Sequence, residues 1–341
     1  MRWRLFIMLI TSTFFALTQT ERKIDSLRLV LKTTQPDTTL CNTLIELGNL
    51  YKNTNFDSTL YYHDKARIFA EKINDPIKKG EAIKLIGDDY YYLKNDDVKA
   101  MSLYEEALQI SEKVIGQTLN KNFTAKAKQL QIRCLGTIGV VYYNRGFYAK
   151  ALNYYSHALK ISEDINHKPF QAANIGNIGS IYLYQGDYAT SLAYYLKALK
   201  IHEETGDKKN QAGNLGNIGG VYGYQGRYAL ALGYYFKALK INEEINDKKN
   251  VATSLGNIGL IYSYQGEYAK AMEYYFKSIK INKENGQKRS QASNLGNIAA
   301  VYAYQGDHEK ALEYFFMALK IDEDLGNESP RSRAARYRKT L

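Results

Sequence analysis

The chain has 341 residues, 45% of them hydrophobic, with 31 Tyr, 25 Gly and 4 Pro, and a formal charge of +11. That balance suits a folded chain, and much of the charge sits at the two ends, in Arg2 and Arg4 and in Arg331, Arg333, Arg336, Arg338 and Lys339. The modest surplus between them gives no reason to expect nucleic acid as a partner, and Cys41 and Cys134 lack the spacing of a metal or redox site.

Residues 1–20 stand apart. Met1-Arg-Trp-Arg4 is basic, Leu5 to Leu17 is apolar, and Thr18-Gln-Thr-Glu-Arg22 is polar. This pattern resembles a secretory signal peptide. The apolar run is short for a spanning helix, which needs about 20 residues, so an N-terminal anchor is the alternative. The expected location is therefore outside the cytoplasm (periplasmic or extracellular) or tethered to a membrane, with the cytoplasm as runner-up. Residues 21–37 read as a linker.

From residue 38 the chain repeats itself. Leu47-Gly-Asn-Leu-Tyr51 with Phe56 and Ala66 is one weak copy of a pattern, and Ile86-Gly87, Tyr90, Ala100, Tyr104 and Ala107 form a second. Together they fill 38–116. Residues 117–130 break the register and read as an insertion that extends the second helix or forms a loop. Five regular copies occupy 131–326. Gly146, Gly186, Gly226, Gly266 and Gly306 fall at a constant step of 40, and repeats at such a step signal a stacked array.

Each copy predicts two helices. Leu215, Ile218, Val221 and Tyr222 recur every three or four residues and share one face of a first helix. Gln225-Gly226 stops it, because Gly takes a left-handed cap at little cost. Tyr228, Ala231, Leu232, Tyr235, Ala238 and Leu239 line one face of a second helix, and Asn246-Asp-Lys-Lys-Asn250 ends it. Most of the tyrosines fall at such packing positions.

Ile218-Gly219, Tyr222, Gly226, Tyr228, Ala231, Tyr235 and Ala238 resemble the signature of the tetratricopeptide repeat. The family's early Trp is aliphatic here (Leu135, Ile175, Leu215, Leu255, Leu295), and its helix-ending Pro is missing. The period is 40 rather than about 34. Longer second helices account for both. Similar long-period repeats occur in kinesin light chains and bacterial regulatory proteins. The resemblance implies an all-α fold, a right-handed superhelix (α-solenoid) of about seven helix-turn-helix units. It also implies that the first helices line a concave groove.

A ladder marks that face. Asn177, Asn217, Asn257 and Asn297 each follow a Gly, and Tyr184, Tyr224, Tyr264 and Tyr304 each lie seven residues further on. A separation of seven places each Asn and its Tyr on the same side of the helix. An amide both donates and accepts, so it can hold a peptide group without reading its side chain. In kinesin light chains, which this chain resembles, Asn at the matching place holds peptide backbone. The alternative is that the Asn residues bond across repeats and hold the stack together. Arg133 is the one basic residue on the corresponding face of the regular units, which argues against a clamp for a terminal carboxylate.

Nothing in the pattern suggests catalysis. His63, His157, His167, His202 and His308 are scattered, with no pair at ligand spacing. No phosphate loop or dinucleotide fingerprint is present. An enzyme, a metal and a cofactor are therefore not expected. Residues 327–341 abandon the repeat for a basic tail, as in an array truncated or frame-shifted there. The expected function is a scaffold that binds a peptide or protein segment. The alternative is the sensory part of a bacterial signalling protein whose histidine kinase, cyclase or transcription-regulator output lies elsewhere.

Overall fold

A computed structural model describes residues 20–31, 38–52 and 55–325. The expected signal segment through residue 19 and the tail from 327 lie outside them. The chain divides into two compact units, residues 1–181 and 182–341.

In the first unit, helix α1 spans residues 20–31. It is followed by α2 (Thr38–Tyr51), α3 (Phe56–Lys72), α4 (Pro76–Lys94), α5 (Asp97–Gln117), α6 (Lys121–Asn144), α7 (Tyr148–Asp164) and α8 (Lys168–Tyr184). The last turn of α8 is counted with the second unit. That unit continues with α9 (Tyr188–Thr205), α10 (Lys208–Tyr224), α11 (Tyr228–Glu244), α12 (Lys248–Tyr264), α13 (Tyr268–Glu284), α14 (Lys288–Tyr304) and α15 (His308–Asp324). From α2 onward the helices form seven helix-turn-helix pairs, and no strand occurs among the described residues. The all-α class and the seven units are as the sequence predicts.

The turns follow from single residues. Gly226 takes φ +70°, and the next backbone N–H, of Arg227, donates back to Tyr222 O at 2.9 Å. That closes the first helix as a glycine cap does. At the other turn Asn246 is left-handed, φ 54°, and Asp247 then caps α12 by accepting from Asn250 N at 3.1 Å. An Asn–Asp pair thus does at that end what Gln–Gly does at the other.

Small residues set how closely the helices approach. A Cβ on Gly259 would sit 2.9 Å from the Tyr275 ring, which is fully buried. Ala271, Tyr275 and Ile279 then pack with Leu295, Ile298 and Val301 of the next repeat. Burying a side chain of that size stabilises by roughly 1.5–3 kcal/mol. Tyrosines stack within repeats, as Tyr222 on Tyr234 at 5.5 Å and Tyr262 on Tyr274 at 5.5 Å. They also stack between repeats, as Tyr228 on Tyr264 at 6.1 Å.

Two stretches differ from the sequence reading. The linker expected over 21–37 is helical through residue 31. Its Ile24 is buried, and Lys23 pairs with Glu46 at 2.7 Å. The insertion expected over 117–130 shrinks to a connector at 118–120, because α6 begins at Lys121. Asn120 Oδ1 caps it by accepting from Asn122 N and Phe123 N. Ala127 and Leu130 are then buried against Ile77, Val114, Ile83 and Ala107. This first helix is longer than its counterparts, and its early turns lack the Gly and Tyr landmarks that mark the others.

Candidate functional site

In the second unit, α10 and α12 bring Asn217, Tyr224, Asn257 and Tyr264 onto one groove of about 410 Å³. Asn250 and Thr253 of α12 stand at its rim, and Tyr235 and Asn242 of α11 lie behind. No charged side chain lines it. Asn297 and Tyr304 continue the same register on α14. Asn177 belongs to the first unit, and Tyr184 to the start of the second.

The ladder amides are open. Asn217 is exposed, and Asn177, Asn257 and Asn297 are half-buried. None of the four makes a side-chain hydrogen bond among the described residues. The tyrosines are exposed too, Tyr224 at 72% and Tyr264 at 57%. Each presents a ring braced from the preceding repeat, Tyr224 by Tyr188 at 6.4 Å and Tyr304 by Tyr268 at 6.4 Å. Burial lifts the Tyr264 hydroxyl above its usual range, and its neighbours Tyr224 and Tyr304 add to the effect. It therefore remains a neutral donor at physiological pH.

A structural ladder of polar residues also exists, but it lies three residues earlier. Asn174, Asn214, Ser254 and Asn294 are buried. Asn174 Nδ2 donates to Phe170 O at 2.8 Å. Asn294 Nδ2 donates to Ser278 Oγ at 2.7 Å, and Asn242 Nδ2 to Ser254 Oγ at 3.3 Å. Buried amides usually find partners; the last two bonds link neighbouring repeats, whereas the first lies within α8 and Asn214 Nδ2 finds no partner among the described residues. The division of labour on α8, α10, α12 and α14 is thus between an inward polar residue and an outward Asn.

Arg133 belongs to the first unit. Its Nη2 donates to Glu81 Oε1 at 2.5 Å, a residue that Lys78 also holds at 2.7 Å. Burial raises the Glu81 carboxyl, but Lys78 and Arg133 outweigh it and hold it below the usual value. Arg133, expected on the groove face, is thus paired with a half-buried carboxylate.

Other buried polar groups of the first unit are tied to one another. His63 Nδ1 lies 2.6 Å from Asp89 Oδ2, both fully buried, and Tyr104 Oη donates to Asp88 Oδ1 at 3.0 Å. Cys41 and Cys134 are buried thiols, and burial pushes Cys134 up to about 12. Among the described residues no group of three or more His, Cys, Asp or Glu is placed to hold a metal ion. No helix among them is long and apolar enough to cross a membrane.

Sequence reasoning missed Asn242, Asn250 and Thr253, together with the glycine face of α10. Only the last had a readable trace, four Gly at steps of three, four and three residues.

The tetratricopeptide repeat family model matches residues 131–204 and 210–284, and a second model of the same description matches 293–325. Together these cover more than half of the chain. No curated protein matches the sequence. Among solved structures, the chain is similar to the apo form of the quorum sensor NprR from B. thuringiensis. The TM-score is 0.63 at 18% identity, covering 92% of this chain and 86% of that one. It is also similar to a signal transduction ATPase with a tetratricopeptide repeat sensor from Pyrococcus horikoshii. There the TM-score is 0.61 at 20% identity, covering 86% of this chain but 43% of the other. A third is the Rap conjugation gene regulator of plasmid pLS20 in complex with the Phr* peptide, with TM-score 0.55, 15% identity and coverage of 90% and 96%. At these identities the likeness is one of fold.

Proposed function

We propose that this chain, which belongs to the tetratricopeptide repeat family, captures an extended peptide or protein segment along the first-helix face of its regular repeats. The observation that carries this is the set of Asn217, Asn257 and Asn297 amides, accessible and without side-chain hydrogen bonds among the described residues. An amide at that depth offers a donor and an acceptor to a passing main chain. The braced tyrosines supply contact area at small entropic cost, and the absence of charge favours a segment gripped through its backbone. The fold supports the reading, since a regulator of the same architecture was solved with a peptide.

The test replaces Asn217 and Asn257 with Ala and measures capture of peptides by the full chain alongside the melting temperature. Loss of binding by tenfold or more at unchanged melting temperature is expected. A large drop in stability would show the amides to be structural after all.

A second reading has one observation in its favour. The similar sensor-bearing ATPase is more than twice the length that this chain covers, as for a repeat array that reports to an output domain. Export or membrane tethering by residues 1–20 belongs to the same proposal. Fractionation of cells that express the tagged full chain tests it, with a purely cytoplasmic pool counting against it.

A further inference from the structure

Helix α10 is unlike its counterparts on one face. Gly213, Gly216, Gly220 and Gly223 stand where α12 carries Thr253, Gly256, Leu260 and Ser263. Packing does not demand the first three. A Cβ on Gly213 or Gly216 would meet nothing within 4 Å, and one on Gly220 would only touch Tyr235 Oη at 3.5 Å. Glycine within a helix is unfavourable, so three dispensable ones weaken α10 with no gain in fit. What they create is a slot in the groove wall, through which α11 is reached.

At that slot stands Asn242. It is 3% exposed, and its Nδ2 donates to Ser254 Oγ. Its Oδ1 is buried without a partner. A buried acceptor left unpaired is costly, and its residue is one of those that line the groove. The slot therefore has space, and an unfilled acceptor lies just behind its wall.

We propose that the slot is an anchor pocket for one side chain of the captured segment, a side chain with an uncharged hydrogen-bond donor such as Asn, Gln, Ser or Thr. That donor bonds Asn242 Oδ1 while the segment's main chain runs past Asn217 and Asn257. The chemistry selects among alternatives. An ammonium or guanidinium group finds no carboxylate in the lining and loses its hydration. A carboxylate brings an acceptor to that acceptor and finds no cation in the lining to offset its lost hydration. An aliphatic side chain leaves Oδ1 orphaned.

This rests on the segment-binding reading, and the experiment separates the two. Immobilised full chain is probed with a positional-scanning library of N-acetylated, C-amidated decapeptides. One position is expected to favour Asn, Gln, Ser or Thr over Ala by about tenfold, a ratio equal to about 1.4 kcal/mol. The preference disappears in Asn242→Leu. The triple variant Gly213→Ala, Gly216→Ala, Gly220→Ala is expected to melt higher than the parent and to bind at least tenfold more weakly. A library selection that shows no such position, or one that persists in Asn242→Leu, overturns the pocket. The segment-binding reading then survives if Asn217→Ala with Asn257→Ala still abolishes capture. If no pool binds at all, both fall.

Discussion

Alanine scanning of two glycines in neighbouring repeats puts the packing argument to a direct test. Gly216 and Gly259 both lie inside first helices of the second unit. Replacing either by Ala gains up to about 1 kcal/mol of helix propensity. At Gly216 nothing opposes the gain, since the new Cβ meets no atom within 4 Å. At Gly259 the Cβ arrives 2.9 Å from Tyr275 Cδ1 and Cε1 and 3.2 Å from the Ala271 carbonyl. Tyr275 is wholly buried and cannot swing out, and the carbonyl is backbone. Forcing extra carbon into such a site costs about 1–3 kcal/mol. Gly216→Ala should therefore stabilise by about 0.5–1 kcal/mol, and Gly259→Ala should destabilise by about 1 kcal/mol. The chain carries its own control. Ala299 stands in the next repeat where Gly259 stands, and the residue at the place of Tyr275 is Phe315, half-buried rather than sealed in. Urea denaturation gives the global values. Stacked repeats can unfold in parts, so hydrogen exchange on α12 and α13 localises the effect. Shifts of the same sign at both sites would refute the reasoning.

Two further outcomes follow from buried polar groups. Burial lowers the affinity of His202 for a proton, and Asp207 only partly offsets this. The folded chain therefore binds fewer protons here than the unfolded chain, and stability is full above the ordinary value of 6.5 and lost as pH falls through it. In His202→Asn, which copies Asn242 and Asn282, the melting temperature should fall less between pH 7.5 and pH 5.5, and an unchanged profile would exclude His202 as the source. Tyr104→Phe removes the donor at 3.0 Å from the buried Asp88 carboxylate; a loss of about 1.5–3 kcal/mol in urea denaturation is expected, and one under about 0.5 kcal/mol would mean that Lys84 alone satisfies the carboxylate.

Much of this architecture was legible in the sequence because its landmarks are local. A Gly at every fortieth residue marks a left-handed turn in the structure, from Gly146 at φ +79° to Gly306 at φ +79°. The Ala and Tyr pattern of the second helices reads directly as a packed face. What escaped was non-local. Residues 121–130 look irregular because their apolar positions answer to Ile77 and Val114, far away in sequence, rather than to a repeat template. Asn174, Asn214 and Asn294 resemble surface residues by type, and only the neighbouring repeat shows them to be interior. The glycines divide the same way. Gly219 and Gly259 are required by a tyrosine, whereas Gly216 is required by nothing in the chain, and a string of letters does not distinguish them.

The constant step has a consequence for how such a chain can change length. Tyr222 stacks on Tyr234 as Tyr262 stacks on Tyr274, and Gly219 faces Tyr235 as Gly259 faces Tyr275. Excising residues 228–267 would splice α10 onto α13 and offer Tyr222 and Gly219 an equivalent pair of tyrosines. Each junction is interchangeable with the next, so recombination between copies can add or drop whole modules with every seam already fitted. The number of ladder rungs then changes in integer steps.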